Sequence, residues 1–221
     1  MSKTKKAVII GSVLVGIGVI IGFIGIAIGG FKFPNGAVDL TTMKALHAEK
    51  KTVQIADAFD KIEIAGASSM DIEICKSKTG KNYVEYYDTD DWTSRVDVKD
   101  RVLKFTTDDK GKHKAVVSLG FGKDTAARLY LADAEYKEIS VTTLSGYVTI
   151  QDVNAETVNV SASSGDLYMK NINAPDSIMA TSSSGDIDLE NATAKQIELG
   201  ANSGDIEMQD ITAESLRMST A

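Results

Sequence analysis

A Ser-Gly pair returns four times in the last third of this 221-residue chain, placing glycine at Gly146, Gly165, Gly185 and Gly204, at spacings of 19, 20 and 19 residues. Aligned on these glycines, the segments form columns on both sides. Before the four pairs stand Ile139, Val158, Ile178 and Ile197, with Leu216 one spacing further on, and two residues after these come Val141, Val160, Ala180, Leu199 and Met218; all are apolar. After it come Val148, Leu167, Ile187 and Ile206, then Ile150, Met169, Leu189 and Met208. Apolar residues two apart have the period of a strand with one buried face. Further columns hold Val153, Ile172, Ala192 and Ile211, then Ala155, Ala174, Ala194 and Ala213, whose small side chains suit a tight corner.

One such unit cannot close a core. A handful of aliphatic side chains contributes about 1.5 to 3 kcal/mol each, against a backbone entropy cost of about 1 to 2 kcal/mol per ordered residue. Stacked units share their inward faces and hydrogen-bond along the stack about 4.8 Å apart, so the period predicts an all-β parallel solenoid, or β-helix. An antiparallel meander of hairpins is the alternative, since alternating strands also suit it; the corner columns favour the coil. In the turns, glycine is expected to supply a backbone angle closed to other residues, while Ser and Asp bond nearby amides. A weaker copy, Ile62 and Ile64 followed by Met70-Asp71-Ile72-Glu73-Ile74, predicts that the stack begins upstream and is then interrupted. Residues 80–135 carry strand-like runs (Lys81 to Tyr87, Arg95 to Val98, Val102 to Thr106, Ala115 to Leu119, Arg128 to Leu131) that do not keep the period. Asp100-Arg101 reads as a hairpin turn, Asp108 to Lys114 as a polar loop, and the aromatics of this stretch, Trp92 among them, as core or cap.

From Ala7 to Phe31 no residue is charged. About 20 apolar helical residues span a bilayer core, and Lys3, Lys5 and Lys6 before the block place the N-terminus in the cytoplasm. The expected organisation is a cytoplasmic tail (1–6), a transmembrane helix (7–30), a juxtamembrane spacer (31–51) with a short helical stretch around Leu40 to Lys50, and an extracytoplasmic domain (52–221), regular from about 136. A cleaved signal peptide is the alternative; the length of the block and the lack of an Ala-x-Ala site favour the anchor. Gly18, Gly22, Gly25 and Gly29 share one helix face, which suits self-association or another membrane protein, although glycine is common in membrane helices.

The net charge of -7 argues against a surface that neutralises nucleic-acid phosphates. Cys75 is the only cysteine, so no intrachain disulfide or multi-thiolate zinc site forms. His47 and His113 stand far apart, which offers no triad, and no phosphate-binding or metalloprotease motif is present. Residues 144–221 hold 12 acidic residues against Lys170, Lys195 and Arg217. Stacking the turns would put Asp166, Asp186 and Asp205 in a ladder about 5 Å apart, each neighbour repelling by roughly 1 kcal/mol in water. Three arrangements relieve this: carboxylates splayed into solvent, calcium between successive turns, or hydrogen bonds to turn amides.

The segment Phe59-Asp60-Lys61-Ile62-Glu63-Ile64, the Ser-Ser-x-Asp-Ile-Glu-Ile run ending at Ile74, the pair from Val96 to Phe105 and the Ser-Gly-Asp turns resemble a bacterial domain of unknown function named for adhesion, found in LiaG-like cell-envelope proteins. The resemblance covers about residues 52–221. It implies a β-solenoid displayed outside the membrane, linked to adhesion by name and to envelope-stress systems by context, with no catalytic residue to carry over. Met70 departs from the pattern by standing in a glycine slot, and the last rung is expected to leave an edge in need of a cap or partner. The function expected is a membrane-anchored, non-enzymatic binding or scaffold domain. An accessory component of an envelope-stress system, or a carboxylate-dependent glycan-active enzyme, is the alternative.

Overall fold

The computed structural model describes residues 31–33, 36–38, 49–67, 70–88, 92–109, 126–132 and 134–220. The predicted transmembrane helix with its glycine face, both histidines and the run from Ala115 to Leu119 lie outside them. Two short strands, β1 (Phe31–Phe33) and β2 (Gly36–Val38), pair antiparallel as a unit of their own.

The second unit is all strand. It contains β3 (Glu49–Gln54), β4 (Lys61–Ala67), β5 (Ile72–Lys76), β6 (Tyr83–Asp88), β7 (Trp92–Lys99), β8 (Val102–Asp109) and β9 (Ala127–Leu131). The repeats follow as β10 (Glu135–Ser145), β11 (Val148–Ser164), β12 (Leu167–Ser184), β13 (Ile187–Ala201) and β14 (Ile206–Thr220). Glu49 and Lys50, read as the end of a helical stretch, open strand β3 instead, where both pair with β6.

Each repeat stacks on the last in parallel. Ile139 pairs Val158, Val158 pairs Ile178, Ile178 pairs Ile197, and Ile197 pairs Leu216. The columns of the sequence are therefore stacks in space, and the meander is excluded. The first four residues of this stack are buried, as are Val148, Leu167 and Ile187 on the opposite wall. Inward aliphatics thus form one continuous core, which is what makes a rung stable that would unfold alone. The 20-residue rung carries its extra residue at the corner. There Ala174-Pro175-Asp176 stands where Ala155-Glu156 stands one rung earlier, and the register passes from Asn154 with Asn173 to Thr157 with Ser177. A proline, with no N–H to give, is tolerated where the ladder is already broken.

The stack begins upstream, as expected, because β4 pairs β10 and β5 pairs β11, both parallel. The interruption, however, is itself a rung. Strand β8 pairs β4 in parallel, with Leu103 on Ile62 and Phe105 on Ile64, and β9 pairs β5, with Ala127 on Ile72 and Leu129 on Ile74. Stacking requires only register, so the insertion between the two strands hides the period without breaking the core. Antiparallel additions finish this end: β7 on β8, β6 on β9 and β3 on β6. Asp100 and Arg101 form the hairpin turn between β7 and β8 with φ of 50° and 64°, the left-handed pair of a two-residue turn. Asp108 and Asp109, assigned by sequence to a loop, extend β8. Of the aromatics expected as core or cap, Tyr86 and Phe105 are buried and meet edge-on at 5.7 Å, and outside that stretch buried Phe59 stacks on buried Tyr136 at 5.7 Å.

Candidate binding surface

The Ser-Gly turns form one seam of the solenoid. A methyl group at Gly165 would lie 2.1 Å from the carbonyl oxygen of Gly146, one at Gly185 2.3 Å from that of Gly165, and one at Gly204 2.2 Å from that of Gly185. Backbone packs on backbone here, and any side chain would force the rungs apart. This corrects the expected reason for glycine, since of the four only Gly146 has a left-handed φ, at 114°; the other three are required by close approach. Below Gly146 lies the backbone of Met70, which puts Met70 in the glycine slot of the rung formed by β4 and β5.

Along this seam three carboxylates reach the next turn. Asp71 Oδ1 accepts the Tyr147 N–H at 2.9 Å, Asp166 Oδ1 the Asp186 N–H at 2.9 Å, and Asp186 Oδ1 the Asp205 N–H at 2.8 Å. Amide donors turned to each anion oppose the repulsion along the ladder. Among the described residues no three His, Cys, Asp or Glu side chains are grouped to hold an ion, and of Asp166, Asp186 and Asp205, expected as a calcium ladder, the first two accept turn amides.

A second ladder escaped the sequence reading. Asp152, Asn171, Asn191 and Asp210 all adopt a left-handed φ of 50° to 55°, a conformation that Asn and Asp tolerate better than other side chains. Asn171 Nδ2 donates to Asp152 Oδ1 at 2.6 Å and Asn191 Nδ2 to Asn171 Oδ1 at 2.7 Å. The signal was present as an Asp/Asn column with the repeat's own spacing of 19, 20 and 19.

The two walls differ in what they show to solvent. On the wall after each turn, Lys170 pairs Glu190 at 2.7 Å, Tyr168 donates to the same carboxylate at 3.1 Å, and Arg128 pairs Glu73 at 2.8 Å. The Lys170 ammonium holds the Glu190 carboxyl below its ordinary range. Burial pushes the Cys75 thiol up, which keeps it protonated and a poor nucleophile at neutral pH. On the wall before each turn, the outward positions of the β11 and β12 rungs are Thr157, Asn159, Ser161, Ser177, Met179 and Thr181, with no charge among them. Ser140 and Thr142 continue this stripe on β10, and Glu138 and Glu198 stand at its margins. A sheet face of hydroxyls and amides, repeated at rung spacing, offers donors and acceptors in a row without an electrostatic preference. Within it Met179 is exposed, and beside it Leu144 and Tyr147.

These features define a class, the parallel β-solenoid with a packed aliphatic interior, hydrogen-bonded polar ladders at its bends and an outward sheet face free of charge. Within that class the chain belongs to the Toastrack DUF4097 family, whose model matches residues 59–221. Among solved structures, it is similar to a candidate cell adhesion protein from Clostridium sporogenes (11% identity, 79% of this chain and 100% of that one, TM-score 0.44). It is also similar to a candidate adhesin from Bacteroides fragilis (12% identity, 78% and 97%, TM-score 0.30) and to one from Parabacteroides merdae (12% identity, 78% and 96%, TM-score 0.25). No curated protein matches the chain.

Proposed function

We propose that this chain is a membrane-anchored, extracytoplasmic binding or scaffold domain of adhesin type, without catalytic activity, and that the uncharged outer wall of β10 to β12 is its contact surface. The carrying observation is where charge is missing. Residues 144–221 hold 12 acidic residues, yet Thr157, Asn159, Ser161, Ser177 and Thr181 form a continuous uncharged patch. Such a patch suits a neutral polar polymer, for example a wall glycan, gripped by many weak hydrogen bonds rather than by ion pairs. The anchor reading rests on the uncharged run from Ala7 to Phe31 and the lysines before it. In the membrane, Gly18, Gly22, Gly25 and Gly29 would face another helix.

Sedimentation of the full chain, in detergent micelles, with purified insoluble wall glycan tests the binding reading. Retention should survive 0.5 M salt, roughly the range in which exposed charge pairs are screened, and should fall at least about tenfold in the double variant Asn159→Arg, Thr181→Arg with an unchanged melting curve. No retention, or retention indifferent to those two positions, would sink it; release of soluble sugar would restore the enzyme reading. For the address, protease added to intact cells should digest the solenoid, and protection there would refute an extracytoplasmic domain.

A further inference from the structure

We infer that β14 is a homodimerisation edge, on which a second copy of this chain pairs antiparallel about Thr212 to form a tail-to-tail dimer with one continuous core. Among the described residues, β14 pairs β13 alone, and no strand pairs with the N–H and C=O groups of its other edge. Its inward residues are also uncovered. Leu216 and Met218 are 47% and 51% exposed, whereas Ile197 and Leu199, one rung inward in the same columns, are 1% and 0%. A long apolar strand edge of this kind is a template for pairing.

The identity of the occupant follows from the order of residues along β14. Its inward apolar positions are Ile206, Met208, Ile211, Ala213, Leu216 and Met218, in register with buried residues of β13; Thr220, on buried Ala201, ends the inward row. The set is symmetric about Thr212. When a second copy runs antiparallel with Thr212 opposite Thr212, Ile206 meets Met218, Met208 meets Leu216 and Ile211 meets Ala213, each pair occurring twice, and each of these six apolar residues lands on another of the set. A shift of one residue exchanges the faces, and a shift of two leaves half of the set without an apolar inward partner. The same register puts Glu207 opposite Arg217, the only cation on the strand, and does so twice. Asp210 opposite Glu214 opposes this, so burial provides the attraction and the charged pairs mark the register. A contact that is its own complement closes as a two-fold dimer and does not propagate.

The test uses the full chain in detergent with Cys75→Ser, so that no native thiol remains. Thr212→Cys should form an interchain disulfide on mild oxidation, since opposed residues in an antiparallel pair lie within disulfide reach. Thr193→Cys, exposed at the matching position one rung inward, should not. Arg217→Glu should weaken self-association at least about tenfold, and adding Glu207→Arg should restore it. The crosslink should persist with Gly18→Leu and Gly25→Leu, which removes association through the anchor. A monomer by light scattering, equal crosslinking at both positions, failure of the charge exchange to rescue, or assemblies larger than a dimer would each overturn the inference.

Discussion

Gly185 illustrates how a repeat places its demands on single atoms. The serine and aspartate around it follow turn chemistry that is readable from sequence, but the demand for glycine does not come from its own backbone angle. It comes from the Gly165 carbonyl of the preceding rung, which would lie 2.3 Å from an added methyl. Gly185→Ala should therefore destabilise the domain by about 3 kcal/mol, the range of a forced backbone shift, read as a lower urea midpoint. Gly80→Ala is the contrast. Nothing lies within 4 Å of a methyl group there and only the φ of 69° opposes it, a cost of about 1 kcal/mol. Similar losses at the two positions would show that the seam is looser than its geometry. Asn171 belongs to the same scale. Its column was present in the sequence, but a left-handed bend leaves no apolar period to draw attention to it.

At the scale of elements, Asp60 joins three strands. Its N–H donates to the Arg101 carbonyl at 3.0 Å and its own carbonyl accepts the Lys137 N–H at 2.7 Å. Its carboxylate takes Lys137 at 2.9 Å and Arg101 at 3.1 Å. The hydrogen bond from Lys137 does most to hold the Asp60 carboxyl below the ordinary 3.8, with Arg101 adding to it against a partial desolvation. A group depressed in the folded state contributes stability above its unfolded pKa and loses that contribution as pH falls through the folded value. Below about pH 4 the starts of β4, β8 and β10 should loosen, and Asp60→Asn should remove part of the acid dependence of the urea midpoint. An acid limb identical in the variant would refute this role. Strands β8 and β9 show why sequence reading stopped at this element. Both lie in register with β4 and β5, but the chain between Phe105 and Ala127 is far longer than the turn of a regular rung, and a period search sees only sequence distance.

For the whole molecule, the acidic seam decides how the solenoid responds to ions. Each bonded carboxylate along it accepts an amide of the next turn, so the ladder is held by the chain's own donors. The melting midpoint of the purified protein should stay within about 1 °C between millimolar calcium and a chelator, because a ligand that binds only the folded state would raise it. A rise of several degrees with calcium would show that ions bridge the turns.

The order of amino acids by itself determined the repeat, its inward columns, the hairpin at Asp100-Arg101 and the place of Met70, because period-two burial and turn chemistry are local and recur along the chain. Only the tertiary structure decided that β8 and β9 supply a rung, that three of the four glycines answer to the backbone of the preceding rung, and that the acids turn to amides. Each of these depends on what lies one rung away, a neighbour set by register rather than by position along the chain.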